Sequence, residues 1–130
     1  QAYVSYSTET ISNVKNAASL SIPVLRQKEA ELILSRLKSD ELVILLDEQG
    51  KEMNSRGFAE FMQQQMNMSI KQVTFIIGGA FGFSEEMYQR ANKKLSLSKM
   101  TFSHQVIRLI FAEQLYRCFS IIHNHPYHND

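Results

Sequence analysis

The sequence predicts an α/β fold built on a parallel sheet. Three observations carry that prediction. Residues 42–46 and 73–77 are short, nearly continuous apolar runs, the pattern of strands buried on both faces. Helical patterns stand before, between and after them, and such alternation is the signature of parallel α/β architecture. The second run ends at a glycine turn, Gly78-Gly79-Ala80-Phe81-Gly82, that leads into another helical pattern.

The elements follow in order. Residues 3–11 are rich in Tyr, Val, Ser, Thr and Ile, which suits a strand, and 13–20 read as a polar loop. Ser21 and Pro23 mark a helix start, and 24–38 continue it with Leu25, Leu32, Ile33 and Leu37 near helical spacing. The strand at 42–46 is closed by Asp47 and Gly50. Ser55 caps a helix carrying Phe58, Ala59, Phe61 and Met62. The strand at 73–77 stops at Gly78-Gly79. Ser84 caps a further helix, with Glu85 and Glu86 in its first turn and Lys93 and Lys94 at its end, charges that suit the helix dipole. Residues 95–98 form a short strand. Ser103 opens the longest helix, from His104 to about Ile122, and the tail from His123 is irregular.

Composition excludes several classes. The 130 residues amount to one domain, and 44% hydrophobic with 21% charged residues is ordinary for a globular chain. Five glycines and two prolines do not make a collagen-like or linker-rich chain, and a single cysteine cannot form an internal disulfide. The lone thiol points to a reducing compartment. No apolar run approaches the roughly 20 residues that span a bilayer, so no membrane association is expected. A net charge of +1 gives no support to a broad electrostatic grip on nucleic acid. A basic groove on a near-neutral chain stays open.

Four constellations are candidates for chemistry. The glycine turn leaves the carboxyl end of a buried strand, where ligands bind in open α/β sheets. It is neither GxGxxG nor a phosphate-binding loop, and a plain tight turn with positive φ explains it equally well. Residues 95–102 are apolar and hydroxyl-rich, suited either to wrapping an adenine or to a strand followed by a helix entry. The long helix is apolar around nearly its whole circumference, which predicts burial all round. One face can meet the sheet and the other a second copy of the chain, so a homodimer is expected. On that helix Glu113 and Arg117 are spaced for an intrahelical ion pair, and Arg108, nine residues from Arg117, falls on the opposite face. Last, His123, His125 and His128, with His104 upstream, raise a metal site. The absence of nearby cysteine or HExxH favours a titrating or substrate-touching tail instead, so no metal is expected. Asp47 and Glu48, at a strand end, are either acid–base candidates or a solvated turn.

Several segments in order are distinctive together: residues 76–83 (IIGGAFGF), 95–105 (LSLSKMTFSHQ), Arg108, 113–117 (EQLYR) and 124–128 (NHPYH). Residues 27–31 and 45–50 add to them. The sequence closely resembles the RlmH family of ribosomal RNA large-subunit pseudouridine N3-methyltransferases, within the knotted SPOUT superfamily, from about Tyr3 to Asp130. The resemblance implies a SPOUT-type α/β knot: a parallel-rich sheet flanked by helices, with a C-terminal trefoil knot. That overrides the general rule that chains are unknotted. It implies one SPOUT domain over residues 1–130 and a homodimer whose pockets are completed by the partner subunit. The family opens with a strand and a helix ahead of the strand matched by 3–11, and this sequence holds neither. The expectation is that the natural chain continues upstream.

The implied reaction is methylation of N3 of a pseudouridine in 23S ribosomal RNA, with S-adenosyl-L-methionine as cofactor, on the assembled ribosome in the cytoplasm. By resemblance, Leu46, Gly78, Leu97, Ser98, Lys99, Met100, Thr101 and Phe102 line the cofactor. Arg117, Tyr127, His128 and His104 are the catalytic candidates, and Arg108 and His125 the substrate-binding ones. Two rivals remain: a non-catalytic RNA- or nucleotide-binding module on the same fold, and a nucleotide-cofactor oxidoreductase, against which the missing GxGxxG argues.

Overall fold

The computed structural model describes residues 17–78, 82–124 and 127. The strand expected at 3–11 lies outside the described residues. Helix α1 (Ile22–Leu34) and strand β1 (Leu42–Glu52) come first. Helix α2 (Ser55–Asn67), strand β2 (Val73–Ile77) and helix α3 (Glu85–Arg90) follow. Strand β3 (Lys93–Ser96) and helix α4 (His104–Ile122) complete the order. The sheet order is β2-β1-β3, and β1 runs parallel to both neighbours. The expected parallel α/β architecture is therefore what the described residues form.

The run Val43-Ile44-Leu45 is buried to 1% exposure or less, because successive side chains of the central strand point to opposite faces. Ile44 and Leu46 pack with Phe58, Ala59 and Met62 of α2 and with Phe111 and Cys118 of α4. Val43 and Leu45 pack with Ala30 of α1 and Met87 of α3. The β1–α2–β2 and β2–α3–β3 crossovers run in opposite directions across the sheet, which puts their helices on opposite faces when both are right-handed, and α2 and α3 are so divided. Each fully buried aliphatic side chain contributes roughly 1.5–3 kcal/mol. A cluster of Phe58, Phe75 and Phe111, with ring centroids 4.6 to 6.3 Å apart, fills the α2–α4 side.

The sequence misplaces several boundaries, each for a local reason. Residues 17–19 of the expected loop form a 3₁₀ turn. Helix α1 begins after Ser21, as expected, but stops at Leu34 rather than Lys38. The Ser35 hydroxyl donates to the Leu32 carbonyl at 2.7 Å, and the chain then closes into tighter turns from Arg36 to Ile33 and from Leu37 to Leu34. Strand β1 runs through Asp47 and Gly50 to Glu52 instead of closing there. Gly50 permits a close approach: a Cβ on it would lie 2.7 Å from the Lys94 carbonyl carbon. Leu46 and Lys51 both pair with Leu95, so residues 47–50 bulge out of register.

Asn54, not Ser55, caps α2, its side chain accepting from Gly57 N at 2.7 Å. That leaves the Ser55 hydroxyl free to donate to Gln114 Oε1 of α4 at 2.8 Å. Ser84 does cap α3, but the helix ends at Arg90. Lys93 and Lys94 belong to β3, drawn into the ladder opposite Ile44 and Leu45, so β3 starts two residues earlier than expected. Ser103 caps α4 over the expected span. Within one chain α4 is not buried all round: Phe111 and Cys118 are buried, whereas Leu109 is 72% and Tyr116 60% exposed.

Candidate functional site

The register of the sheet gathers three separated segments at one edge. Leu46 pairs with Ile77 on one side and Leu95 on the other. Gly78 follows Ile77 directly, and Leu97 comes two residues after Leu95. The expected cofactor positions Leu46, Gly78 and Leu97 are thus brought near one another where β2 and β3 end and β1 leaves its pairing with β2, the side of the sheet on which α/β folds bind ligands.

Gly78 earns its place through the Phe83 ring. A Cβ there would lie 2.9 Å from Phe83 Cζ, so the ring rests on the bare glycine. Gly82 has φ +79°, the positive value expected of this turn. Residues 79–81 lie outside the described residues. Beside the turn, the Tyr88 hydroxyl donates to Asp47 Oδ2. Burial, and then the Asp47 carboxylate, push the Tyr88 phenol up to about 12. Asp47 Oδ1 also accepts from Gln49 N at 2.9 Å. Its carboxylate is therefore committed to shaping the turn, which favours the structural reading over acid–base work.

The segment 97–102 is fastened by its own side chains. Met100 N donates to Ser98 Oγ at 2.9 Å, and Ser96 Oγ donates to the Ser98 carbonyl at 3.0 Å. Lys99 Nζ donates to the carbonyls of Glu48 and Gly50, at 3.0 and 3.2 Å. Thr101 Oγ1 donates to Glu48 Oε2 at 2.9 Å. Met100 and Phe102 are left 73% and 41% exposed, apolar groups displayed on an anchored loop. A cavity of about 270 Å³ opens next to it, between Met53, Asn54, Ser55 and Phe58, the stretch from Leu95 to Leu97, and Ile110 and Gln114 of α4.

Gln114 connects that cavity to a charged cluster. It accepts from Ser55 through Oε1 and donates from Nε2 to Glu113 Oε1 at 3.1 Å. Glu113 Oε2 accepts from Arg117 Nη2 at 2.6 Å and from the Tyr127 hydroxyl at 3.0 Å. The Arg117 guanidinium lies 4.9 Å from the Tyr127 ring centroid, a cation–π contact. The bond from Arg117, foremost, holds the Glu113 carboxyl below its usual range. The same bond raises Arg117. Tyr127 is raised chiefly because its hydroxyl is bonded to the carboxylate. At neutral pH Tyr127 is thus a phenol that donates, not a phenolate that accepts.

Of the remaining candidates, His104 and Arg108 are described, and neither joins this cluster. His104 is the first residue of α4 and exposed; Arg108 is exposed and has no hydrogen bond or ion pair among the described residues. His125 and His128 lie outside the described residues. Among the described residues no group of three or more His, Cys, Asp or Glu is placed to hold a metal ion, and no helix is long and apolar enough to cross a membrane. Cys118 is fully buried, and burial pushes its thiol up to about 12, which removes it as a nucleophile. Sequence reading missed Phe83 and Tyr88 behind the turn, the tie from Glu48 to Thr101, and the cavity wall at Met53 and Asn54. Tyr88 and Asp47, and Thr101 and Glu48, lie tens of residues apart in the chain, while Phe83 meets Gly78 across a turn that carries no pattern of its own; only the Glu113–Arg117 spacing gave a local signal.

A family described as "Predicted SPOUT methyltransferase" matches residues 1–128. The chain belongs to the SPOUT methyltransferase family. This SPOUT chain is 50% identical over 129 residues to a ribosomal RNA large subunit methyltransferase H of Christiangramia forsetii, covering 99% of its own length and 82% of that relative. A protein of the same name from Bacteroides thetaiotaomicron is 50% identical, with 98% and 82% covered. One from Flavobacterium johnsoniae is also 50% identical, with 98% and 81% covered. The resemblance noted in the sequence is thereby borne out.

Proposed function

We propose that this SPOUT methyltransferase methylates N3 of a pseudouridine in 23S ribosomal RNA, using S-adenosyl-L-methionine, as a homodimer acting on the assembled ribosome in the cytoplasm. Residues 1–130 act as one knotted SPOUT domain. The observation that carries the reading is the meeting of Leu46, Gly78 and Leu97 at one sheet edge, beside an anchored loop that displays Met100 and Phe102. It is joined by the names of relatives at half identity over nearly the whole chain.

The residues at that edge fit the cofactor. They offer apolar side chains for an adenine and methylene groups, serine hydroxyls, and a loop backbone whose peptide groups can read a purine edge. Leu46, Gly78, Leu97, Ser98, Lys99, Met100, Thr101 and Phe102 would hold it. Bound there, it supplies an already activated methyl group. The protein's task is then alignment and control of one proton. Alignment contributes several kcal/mol by holding reacting atoms in a near-attack geometry.

The N3 proton of a pseudouridine is acidic only above neutral pH, so its loss needs a base or a cation near the developing anion. Arg117 carries a permanent charge for that role. Tyr127, held protonated by Glu113, contributes a hydrogen bond or a ring face to the base. His128 and His104 are the groups able to take the proton. Arg108 and His125 contact the RNA. A chain of net charge +1 suits an enzyme that reads a shaped ribosomal site through a few basic side chains.

The test uses labelled S-adenosyl-L-methionine and ribosomes from a strain lacking this gene. Label in large-subunit RNA at a pseudouridine is expected. Cofactor binding without any transfer would replace the reading with a non-catalytic module, and label elsewhere would change the substrate.

A further inference from the structure

Glu48 and the bulge around it do more than extend β1. Leu46 and Lys51 share one partner on β3, so the intervening residues leave the ladder. Their polar groups are thereby turned to another use. The carbonyls of Glu48 and Gly50 receive the Lys99 ammonium, and the Glu48 carboxylate receives the Thr101 hydroxyl at 2.9 Å. Every one of these bonds runs from the 97–102 segment to the bulge. We infer that Glu48 is a positioning residue, which holds that loop in its ligand-ready shape through Thr101 while its own carbonyl anchors Lys99.

The inference rests on the reading that residues 97–102 bind S-adenosyl-L-methionine. Its physical basis is preorganisation. A loop held in place before the ligand arrives loses less freedom on binding than a loose one. Glu48 is exposed and outside the core, so its substitution leaves the fold intact. The effect belongs in cofactor affinity and not in the chemical step.

The experiment measures S-adenosyl-L-methionine affinity by calorimetry on the unaltered chain and on Glu48→Ala, Glu48→Gln, Thr101→Val and the Glu48→Ala/Thr101→Val pair. Melting temperature and kcat at saturating cofactor are recorded alongside. Glu48→Ala is expected to weaken binding about three- to tenfold, the worth of one side-chain hydrogen bond, with kcat and melting temperature unchanged. Glu48→Gln, whose amide oxygen still accepts from Thr101, is expected to recover most of the affinity. The double variant is expected to bind no worse than Thr101→Val alone, because the bond that Glu48→Ala removes is already absent there. Unaltered affinity in Glu48→Ala overturns the inference, as does a Gln variant no better than Ala, or losses that add in the pair. Absence of cofactor binding by the unaltered chain overturns the functional reading itself, and this inference with it.

Discussion

Arg117 and Tyr127 share a single acceptor. Both donate to Glu113 Oε2, at 2.6 and 3.0 Å, while the guanidinium lies 4.9 Å from the tyrosine ring centroid. One carboxylate therefore sets the position of two catalytic candidates and the protonation of one. The folded-state value of Glu113 is depressed, so its ionised form stabilises the fold above the ordinary carboxylate value and that contribution is lost as pH falls through the depressed value. Tyr127 is raised above 10.0, so its contribution is complete below the ordinary phenol value and is lost as pH rises through the raised one. We predict that Glu113→Gln returns the Tyr127 phenol toward its ordinary value, seen as tyrosinate absorbance that Tyr127→Phe removes. The stability gap between the unaltered chain and Glu113→Gln closes in acid. Methyl transfer falls by about tenfold, because the charge-assisted bonds that position both side chains are replaced by weaker neutral ones.

Two glycines at the sheet edge differ in what surrounds them, and alanine at each has a different outcome. A Cβ on Gly50 meets backbone: Lys94 C at 2.7 Å, Leu95 N at 2.8 Å and Lys94 O at 2.9 Å. Backbone in a ladder cannot yield without parting β1 from β3. The three atoms nearest a Cβ on Gly78 all belong to the Phe83 ring, at 2.9 to 3.3 Å, and a ring can tilt. We predict a cost of about 3 kcal/mol for Gly50→Ala and about 1–2 kcal/mol for Gly78→Ala, measured by denaturant unfolding. Gly78→Ala still folds, so its weakened cofactor binding can be read directly. Equal losses at the two positions would show that β1 and β3 are not held as closely as the distances state.

How far the sequence discloses this arrangement depends on the range of the force involved. The strands at 42–46 and 73–77 show themselves because apolarity is local, and so do the Ser84 and Ser103 caps; but 73–77, expected to be buried on both faces, is only half-buried apart from Ile76, because it lies at the outside of the described sheet. The Glu113–Arg117 pair is legible from its spacing of four. The end of β1 is not, because Asp47 and Gly50 look like punctuation. Their real partners are Tyr88 and the Lys94–Leu95 peptide, about forty residues on. Lys93 and Lys94 look like a helix end for the same reason. Pairing with Ile44 and Leu45 overrides what their charges suggest. Leu46, Gly78 and Leu97 were named through resemblance, and the register explains why such distant positions belong together.

The second face of α4 provides the last prediction. Leu109 and Tyr116 are seven residues apart, two helical turns, and so lie along one stripe. Phe111 and Cys118, also seven apart, form the buried stripe on nearly the opposite side. Leu109 is 72% and Tyr116 60% exposed, with Val106 at 43% beside them. An isologous contact along this stripe would bury each side chain twice, once per protomer. At roughly 1.5–3 kcal/mol for each buried leucine, Leu109→Arg weakens association by about a hundredfold or more. The fold of each chain is unaffected, because the side chain is outside the core. We predict a dimer by sedimentation for the unaltered chain and a monomer with an unchanged melting temperature for Leu109→Arg. Methyl transfer is lost with the dimer if the partner completes the pocket. A variant that still sediments as a dimer would move the interface off this stripe.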